Sequence, residues 1–421
     1  MSDLISVGLA ARAAARQLAG WPSQRKDEAL LAIAGELEAQ TAAILGQNSQ
    51  DVNDGRIQGL SNAAIGRITL NADRVAALAA DARRLAGLPD PVGAELEGRL
   101  LPNGLRLSRR RIPIGVIGAI YEERPETILD VACLCLKTGN AAILRGSGES
   151  QRTNLALMNS VLAALETVGF PPAAVQYLDG AEPALLTQLL RLDEYIDLII
   201  ARGGAELQRQ CQEQSRMPVI GAGRAICHLY VDETADLERA GAIVENAKVQ
   251  RPDAANALNT LLVHQGVAHH FLSTLAARLA EWGVEFRADP EALDIVEQAY
   301  RWTDAAPAGP DDFDQEWRSL VLGVKLVASL EEAIEHIRRH STGHSDGILT
   351  NSLERANHFV AEVNSAVVYV NASTRFTDGQ EFGLGAEAAV SNAKLHARGP
   401  LGPEALTTYK WVAVGDGHLR A

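Results

Sequence analysis

The sequence predicts an α/β protein built on a doubly wound parallel sheet, and three observations support this. Of the 421 residues 47% are hydrophobic but only 5% are aromatic. The apolar content is therefore mainly Ala, Leu, Val and Ile, which is typical of helices packed on buried strands. From residue 112 onward, short apolar segments alternate with helical ones, and glycines stand at their connections. Repeated βα units of this kind form parallel sheets covered by helices.

Residues 1–90 predict helices, because apolar residues recur at helical spacing, as at Leu30, Ile33 and Leu37. The segment from Ile112 to Tyr121 is short, apolar and β-rich, and predicts one central strand. The elements predicted after it are a helix over 125–137, a strand over 141–145, a helix over 153–168, strands over 175–178 and 196–200, a helix from 206 and a strand over 226–231.

The same alternation starts again after Asp232 and predicts a second α/β domain. Its elements are a helix over 237–250, a strand over 260–264, a helix over 269–282 and a strand-helix-strand unit over 324–349. The stretch from Trp302 to Trp317 predicts an exposed connection, and residues 383–402 predict a glycine-rich loop. We therefore expect a nucleotide-type domain over 1–231, a catalytic-type domain over 232–360, and over 361–421 a substrate-loop segment followed by a C-terminal return to the first domain and its small flap.

Charge and composition exclude several classes of partner. The chain has 39 Lys and Arg against 53 Asp and Glu, a net charge of −14, which disfavours nucleic acid as a partner. Its apolar runs are well short of the roughly 20 residues that cross a bilayer, and Asp3 stands where a signal peptide has positive charge. We expect a cytoplasmic protein with no membrane contact.

The four cysteines predict neither a disulfide framework nor a metal site, because no pair has a zinc-ligand spacing. Cys133 and Cys135 lie in an apolar helix and Cys227 lies in a strand, where cysteine usually packs as a small hydrophobic residue. His228 follows Cys227 directly, and adjacent strand residues face opposite sides, which argues against a Cys227–His228 pair.

Three segments predict ligand contacts. Two glycine turns follow strands, at Arg145-Gly-Ser-Gly-Glu149 and at Arg202-Gly203-Gly204, where helix-start N–H groups bind phosphate in many proteins; a plain tight turn is the alternative. The block from Tyr369 to Thr377, followed by residues 381–387, gathers amide, hydroxyl, guanidinium and carboxylate groups after a strand. This set predicts a site for an anionic or zwitterionic small ligand.

Longer motifs carry a resemblance to a known family. They are Leu105–Glu122, Cys135–Asn140, Ile226–Asp232, Tyr369–Phe376, His396–Pro400 and Glu404–Trp411. From near residue 5 to the C-terminus the chain resembles the γ-glutamyl phosphate reductases (glutamate-5-semialdehyde dehydrogenases) of the aldehyde dehydrogenase superfamily. The resemblance implies an NADPH-binding domain, a catalytic domain, and a small β-flap, part of it near 95–112, that joins subunits into a homodimer or homotetramer.

The resemblance also implies a reaction of proline biosynthesis. A cysteine thiolate attacks γ-glutamyl phosphate and expels phosphate, NADPH reduces the resulting thioester to glutamate semialdehyde, and an asparagine amide helps to hold the oxyanion. In this sequence the motif Arg-Pro-x-x-Cys-Asn has alanine at the cysteine, Ala255, and a methyl group forms no thioester. The oxyanion asparagine is replaced by Glu126, whose carboxylate repels a developing negative charge.

Further departures fall on the cofactor side. Gly148 stands where the family has the lysine expected near an NADP 2′-phosphate, Glu206 adds negative charge to the second glycine turn, and Asn259 replaces a glutamate. The residues to which the resemblance assigns roles are Ala255, Glu126 and Asn256 in catalysis; Arg124, Asn371, Ser373, Thr374, Arg375, Phe382 and Glu387 in substrate binding; and Arg145, Gly146, Gly148, Glu149, Gly203, Gly204 and Glu316 in NADP(H) binding.

Three hypotheses follow from these departures. The first, favoured because nucleophile, oxyanion donor and cofactor cation change together, is a diverged paralogue that binds an acyl phosphate of the γ-glutamyl phosphate type without reducing it. Such a protein would transfer the acyl group to another nucleophile. Position alone suggests Glu126 as the general base, and a plain surface carboxylate is the favoured alternative for this residue. The second is an NADPH-dependent reductase in which Ala255 is an engineered replacement, or in which Cys227 supplies the thiol. The third is a silent subunit that partners an active reductase or a glutamate kinase.

Overall fold

The chain divides into two compact units in the computed structural model, which describes residues 2–179, 183–299 and 304–420. The first unit comprises residues 1–222, 383–389 and 395–421, and the second comprises residues 223–382 and 390–394. The division at 222/223 precedes the boundary expected after residue 231, so the strand predicted over 226–231 belongs to the second unit. The C-terminal segment expected over 361–421 is shared between the two units.

Helices and strands alternate along most of the chain. The helices are α1 Ser2–Leu18, α2 Ser23–Ala39, α3 Thr41–Ile57, α4 Asn62–Ile68, α5 Ala72–Ala86, α6 Thr127–Lys137, α7 Gln151–Thr167, α8 Pro183–Leu189, α9 Ala205–Gln214, α10 Leu237–Val249, α11 Gln265–Ala280, α12 Pro290–Ala299, α13 Leu330–His340 and α14 Leu353–Glu362. The strands are β1 Glu95–Leu100, β2 Arg106–Pro113, β3 Val116–Tyr121, β4 Ala141–Arg145, β5 Val175–Tyr177, β6 Leu198–Arg202, β7 Val219–Ala222, β8 Cys227–Val231, β9 Leu258–His264, β10 Glu285–Ala288, β11 Asp304–Pro307, β12 Val321–Val327, β13 Ser345–Leu349, β14 Val367–Val370, β15 Val390–Ser391, β16 Gly399–Pro400 and β17 Thr407–Val414.

A parallel sheet with the strand order β5-β4-β3-β6-β7 forms the centre of the first unit. Alternate residues of its strands pack on opposite faces, as a doubly wound sheet requires. Ile117 and Leu144 join the core formed with α2, α5, α6 and α7, whereas Val116 and Ile143 join the core formed with α1, α8 and α9. The predicted doubly wound architecture is therefore confirmed.

The prediction of a single strand over 112–121 is wrong, because the strand is interrupted at Gly115. This glycine has a φ of +132°, and a Cβ there would lie 2.2 Å from Oδ2 of Asp197. The same Oδ2 accepts a hydrogen bond of 2.8 Å from the N–H of Val116, the first residue of β3. The carboxylate thus occupies the space that a side chain would need, and the two halves of the segment enter different sheets.

The first half, β2, forms an antiparallel sheet with β1 and β17. Every residue of β1 is exposed, and the register of β2 with β17 runs from Pro113 opposite Thr407 to Arg106 opposite Val414. This sheet corresponds in position to the small flap that the family resemblance implies near residues 95–112. Its third strand, β17, comes from the C-terminal end of the sequence, in keeping with the expected return of that end to the flap.

A second parallel sheet, in the order β11-β10-β12-β9-β8-β13-β14, forms the centre of the second unit. Its β8 and β9 contribute Leu229, Leu261 and Val263 to a buried core with α10 and α11. The exposed connection predicted from Trp302 to Trp317 is wrong in part, because Asp304–Pro307 form the edge strand β11. Residues 302 and 303 of that prediction lie outside the described residues.

The helices that the structure describes are too short or too polar to cross a bilayer singly. In the described part of the chain no single helix is both long and apolar enough to span a membrane, although the bent pair α2 and α3 meets the requirement jointly by length and composition. The apolar residues of α2 that prompted its prediction, Leu30, Ile33 and Leu37, are fully buried in the first unit's core.

Candidate active site

Ala255 lies in the turn that connects α10 to β9 in the second unit. Its side chain is exposed, whereas the next two residues, Asn256 and Ala257, are 6% and 2% exposed. The turn is closed by hydrogen bonds from Ala254 N–H to Arg251 O and from Ala257 N–H to Ala254 O. Position 255 therefore presents its side chain outward from a fixed turn, but the side chain is a methyl group.

Asn256 connects this turn to the predicted substrate segment. Its amide nitrogen donates to the carbonyl oxygens of Arg375 and Thr377 at 3.2 and 2.9 Å. The Thr374 hydroxyl donates to the Asn256 carbonyl at 2.7 Å, and the Arg375 guanidinium donates to the Asn256 side-chain oxygen. The structure thus brings Ala255, Asn256, Thr374 and Arg375 together, as the resemblance implied, and Asn256 acts as a positioning residue.

The Arg375 guanidinium is held beside the turn on both sides. Its Nε donates to Gln250 Oε1 at 3.0 Å, and its Nη1 donates to the side-chain oxygen of Asn256. The backbone N–H of Arg375 donates to the hydroxyl of Ser373, which is 5% exposed, at 3.3 Å. Burial lowers the pKa of Arg375, and the nearby Arg251 lowers it further. A partly desolvated, oriented guanidinium is a strong site for a carboxylate or phosphate.

Two other assigned residues already make contacts within the second unit. Asn371, with a φ of +56°, accepts from Thr350 N–H at 2.9 Å and donates to Thr350 O at 2.8 Å. Glu316 forms an ion pair with Arg318 at 3.1 Å. The amide of Asn371 therefore has a structural role, and contacts of Asn371 or Glu316 with a ligand remain predictions. Phe382 is 42% exposed.

Cys227 lies directly behind the position-255 turn. Its thiol donates to the Ala255 carbonyl oxygen at 3.4 Å and lies 3.8 Å from His344 Nδ1. However, Cys227 is fully buried, and burial raises the pKa of its thiol well above the ordinary value. Burial also lowers the pKa of His344 to about 4, so that the imidazole is neutral at pH 7 and does not stabilise a thiolate.

All four cysteines are buried, which confirms that they occupy packing positions. Burial raises the pKa of Cys133 to about 12 and that of Cys211 to about 11. The sequence argument against a Cys227–His228 pair also agrees with the structure, since His228 contacts Asp346 at 3.0 Å. Sequence reasoning missed the neighbour that Cys227 does have, because His344 comes from β13's N-terminal side and is distant in sequence.

Lys248 is a second buried group that the sequence reasoning missed. It is fully buried on α10, and its ammonium nitrogen donates to the Leu258 carbonyl oxygen at 3.0 Å. Burial lowers the pKa of Lys248 to about 7. The signal in the sequence was its position, since Lys248 follows Ala240 and Val244 on the buried face of the helix at helical spacing.

One departure from the family has a structural explanation. Asn259 is 3% exposed, and its side-chain oxygen accepts from the Cys227 N–H at 3.0 Å. The register of β8 against β9 shifts between Cys227 and His228, which leaves this N–H outside the strand ladder. Asn259 satisfies it, so this residue supports the strand behind position 255.

In the first unit, Glu126 stands just before α6, after the end of β3. Its Oε1 forms an ion pair of 3.0 Å with Arg74 of α5, and the carboxylate is 17% exposed. Its Oε2 is buried and finds no hydrogen-bond partner among the described residues. Arg74 partly neutralises the charge that sequence reasoning placed at the oxyanion position, and an ion-paired carboxylate is a weak general base.

A second carboxylate lies one helical turn beyond Glu126. Asp130 accepts from Arg202 Nη1 at 3.1 Å. Burial raises the pKa of Asp130 to about 6, the Arg202 guanidinium opposes this, and the carboxylate of Glu126 adds to it. Two of the residues assigned to substrate binding, Arg124 and Glu387, also belong to the first unit.

Both predicted glycine turns lie at the C-terminal edge of the first unit's sheet. A Cβ on Gly146 would lie 2.3 Å from Asn154 Nδ2, and a Cβ on Gly203 would lie 2.4 Å from Glu122 Oε2, so a side chain at either position would displace the Asn154 or Glu122 side chain. Gly204 N–H donates to the same Glu122 oxygen at 2.8 Å. In α/β sheets this edge, where β3 separates β4 from β6, is where nucleotides bind.

The same edge carries buried polar atoms that hydrogen-bond to no described residue. They are Tyr121 Oη, Thr127 Oγ1, Ser150 Oγ and Asn154 Oδ1. Buried polar atoms are nearly always paired, so this group fits a polar ligand such as a dinucleotide. Arg145, at the end of β4, is 8% exposed, and burial lowers the pKa of its guanidinium.

The acidic groups near these turns point to solvent. Gly148 and Glu149 are exposed, and Glu206 is 77% exposed and pairs with Arg209 at 2.7 Å. The negative charge of Glu206, which sequence reasoning set against cofactor binding, is thus partly compensated. Within residues 2–179, 183–299 and 304–420, no group of three or more His, Cys, Asp or Glu side chains is arranged to hold a metal ion.

Comparison with known proteins decides the family. The aldehyde dehydrogenase family model matches residues 3–295. The chain is 52% identical over 421 residues to a γ-glutamyl phosphate reductase of Yersinia enterocolitica, covering 100% of both chains. It belongs to the γ-glutamyl phosphate reductase group of the aldehyde dehydrogenase family. A γ-glutamyl phosphate reductase of Aeromonas salmonicida is 54% identical over 414 residues, 98% of this chain and 99% of the relative.

Solved structures of the same family agree. The crystal structure of γ-glutamyl phosphate reductase from Thermotoga maritima superposes with a TM-score of 0.94 at 38% identity, over 99% of this chain and 100% of that one. This similarity extends through both units and the β1-β2-β17 flap. The fold and family implied by the sequence motifs are therefore confirmed.

Proposed function

We propose that this chain is a γ-glutamyl phosphate reductase whose active site requires a cysteine at position 255 for catalysis. The observation that carries the proposal is the turn at position 255, fixed by Asn256 to the segment that holds Thr374 and Arg375. Full-length identities of 52% and 54% to relatives named as reductases support this second hypothesis over the non-reducing paralogue and the silent subunit.

The residues of the second unit would perform the acyl-transfer half of the reaction. Arg375 would hold an anionic group of γ-glutamyl phosphate. A cysteine at position 255 would lose its proton to solvent, and its thiolate would attack the γ-carbonyl carbon. The carbon–oxygen bond to phosphate breaks, phosphate leaves with the electron pair, and a thioester remains. Position 255 is exposed on a fixed turn, so a thiol there would reach substrate, whereas Cys227 is buried and protonated.

NADP(H) would bind at the C-terminal edge of the first unit's sheet, where glycine turns and unpaired buried hydroxyls fit a dinucleotide. When bound, the reduced cofactor supplies the hydride that converts the thioester to the aldehyde. Gly148 leaves the 2′-phosphate without the lysine of the family. The chain would act as a homo-oligomer in the cytoplasm, joined through the β1-β2-β17 flap.

Replacement of Ala255 tests the proposal. We expect Ala255→Cys to catalyse phosphate-dependent reduction of NADP⁺ by glutamate-5-semialdehyde, the reverse reaction, because it restores the nucleophile. The unchanged chain should be inactive. Ala255→Ser is the matched control, since a hydroxyl of similar size is not ionised at neutral pH, and its rate should be at least ~100-fold lower than that of the cysteine variant.

Two outcomes would contradict the proposal. One is an Ala255→Cys variant that stays folded and binds NADPH in a fluorescence titration, yet shows no turnover. The other is turnover by the unchanged chain, which would place the nucleophile elsewhere. Loss of that activity in Cys227→Ser would then assign it to Cys227.

A further inference from the structure

A cleft of about 770 Å³ opens in the first unit between α1 and the β1-β2-β17 sheet. Its volume lies within the roughly 300–1,000 Å³ that is usual for small-molecule sites. None of its lining residues is among those assigned to catalysis, substrate or cofactor. The cleft is therefore separate from the predicted reductase site.

The lining of this cleft is strongly basic. Among the described residues that line it, Arg12, Arg16, Arg110, Arg111 and Lys410 are cationic, and Glu194 is acidic. The whole chain carries a net charge of −14, so a local excess of positive charge is opposite in sign to the chain as a whole. Such a concentration of positive charge attracts anions.

Neighbouring carboxylates neutralise only part of this charge. Arg12 pairs with Asp197 at 2.8 Å and Arg111 pairs with Glu404 at 2.7 Å. Arg110 lies 3.9 Å from Glu95, and both side chains are about half exposed, so solvent screens this pair. Arg16 and Lys410 are both exposed and form no ion pair within the part of the chain that the structure describes.

Two of the cations face each other across strands. Arg110 of β2 and Lys410 of β17 are direct partners in the antiparallel register. Like charges placed opposite each other destabilise a sheet. An anion bound between them would remove this repulsion.

We propose that the cleft binds a polyphosphate anion, a molecule with two or more linked phosphate groups. Several cations are spread around one cavity, and a single phosphate would reach only some of them. The Arg111 guanidinium is oriented by Thr407 Oγ1 at 3.0 Å, and oriented guanidinium groups bind phosphate oxygens in pairs. The phosphate chain of a nucleoside triphosphate and inorganic triphosphate share this chemistry.

Calorimetric titration of the full chain with inorganic triphosphate, ATP and inorganic phosphate tests the proposal. The double variant Arg16→Gln/Lys410→Gln removes the two unpaired cations, and Arg56→Gln/Lys394→Gln removes one exposed arginine and one exposed lysine elsewhere. All four side chains are exposed, so both variants should fold. We expect triphosphate to bind, affinity to fall at least ~10-fold in the cleft variant and under ~2-fold in the control, and phosphate to bind at least ~10-fold more weakly.

The ATP titration distinguishes the two sources. If ATP binds more tightly than triphosphate and loses that affinity in the cleft variant, the cleft is assigned to a nucleotide. If triphosphate binds more tightly than ATP, or ATP binding survives the variant while triphosphate binding is lost, the cleft is assigned to an inorganic polyphosphate. Absence of triphosphate binding, or equal binding by both double variants, overturns the proposal. Because no residue is shared with the reductase site, either result leaves the test at position 255 unaffected.

Discussion

At the residue scale, three lysines show how the pKa of a buried ammonium group depends on its partner. Lys26, Lys137 and Lys248 are all fully buried. Lys26 pairs with Asp90 at 2.7 Å and Lys137 with Asp27 at 2.6 Å, but Lys248 has a carbonyl oxygen as its contact. Without a carboxylate, burial dominates and the pKa of Lys248 falls to about 7.

This difference predicts a stabilising substitution. Because the folded-state pKa of Lys248 lies below its unfolded value, the unfolded chain binds the extra proton between about pH 7 and the unfolded pKa of ~10.4. Stability therefore rises with pH across this window. We expect Lys248→Met to raise the free energy of unfolding by roughly 1–4 kcal/mol at pH 6.5, with the gain shrinking by pH 9.5.

Urea unfolding of the parent chain and of the Lys248→Met variant at pH 6.5 and pH 9.5 measures the difference in the free energy of unfolding. Lys137→Met is the matched control, since it leaves the Asp27 carboxylate without its cation and should destabilise. A Lys248→Met variant that is less stable than the parent at pH 6.5 would show that the ammonium group is satisfied in the fold.

Glu126 gives a second prediction at this scale. In an Ala255→Cys background, Glu126→Asn should raise kcat at least ~10-fold, because an amide replaces a carboxylate where negative charge develops. Arg74, which pairs with Glu126 at 3.0 Å, would remain in place. Glu126→Gln, with a longer side chain, is the control for position. A kcat unchanged by Glu126→Asn would mean that Arg74 already cancels the carboxylate's effect.

At the element scale, the close packing of β13 between its neighbours limits what its residues can be. A Cβ on Gly347 would lie 2.8 Å from Leu229 Cδ2 of β8 and 2.9 Å from Tyr369 Cβ of β14. The three strands are parallel and paired at these residues. The glycine is therefore required by the spacing of the strands.

Gly347→Ala should therefore destabilise the second unit by roughly 1–3 kcal/mol, because the added methyl group overpacks the sheet. Gly35→Ala is the matched control. Gly35 lies in α2 with no atom within 4 Å of an added Cβ, so alanine there should stabilise by about 0.5–1 kcal/mol. Thermal unfolding of both variants checks the pair, and equal shifts would contradict the packing argument.

At the scale of the whole molecule, net charge governs behaviour in solution. The chain carries −14 at pH 7 and has a pI of about 5.2. We expect solubility to pass through a minimum near pH 5.2, because intermolecular repulsion vanishes there. Light scattering across pH 4–8 measures this, and a minimum that does not move when exposed acids are replaced by amides would point to another cause.

The sequence by itself determined the α/β class, the doubly wound sheet, the family and the missing nucleophile. Buried parallel strands are continuous apolar runs and their helices are periodic, so both patterns are local and readable. The family motifs likewise placed Ala255, Asn256 and Arg375 in one site. Boundaries were less predictable, as at Gly115, where the carboxylate of Asp197, the residue before β6, occupies the space of a side chain and the strand is interrupted.

Tertiary structure alone decided the contacts that depend on residues distant in sequence. Four features arise this way: the pairing of Glu126 with Arg74, the burial of Cys227 beside His344, the lowered pKa of Lys248, and the basic cleft between α1 and the flap. Each depends on desolvation or on a charge brought near by folding. Neither desolvation nor the proximity of such a charge is encoded in the spacing of residues along the chain. The motifs could therefore locate the site, but only the packing of the folded chain determined the charges of its residues.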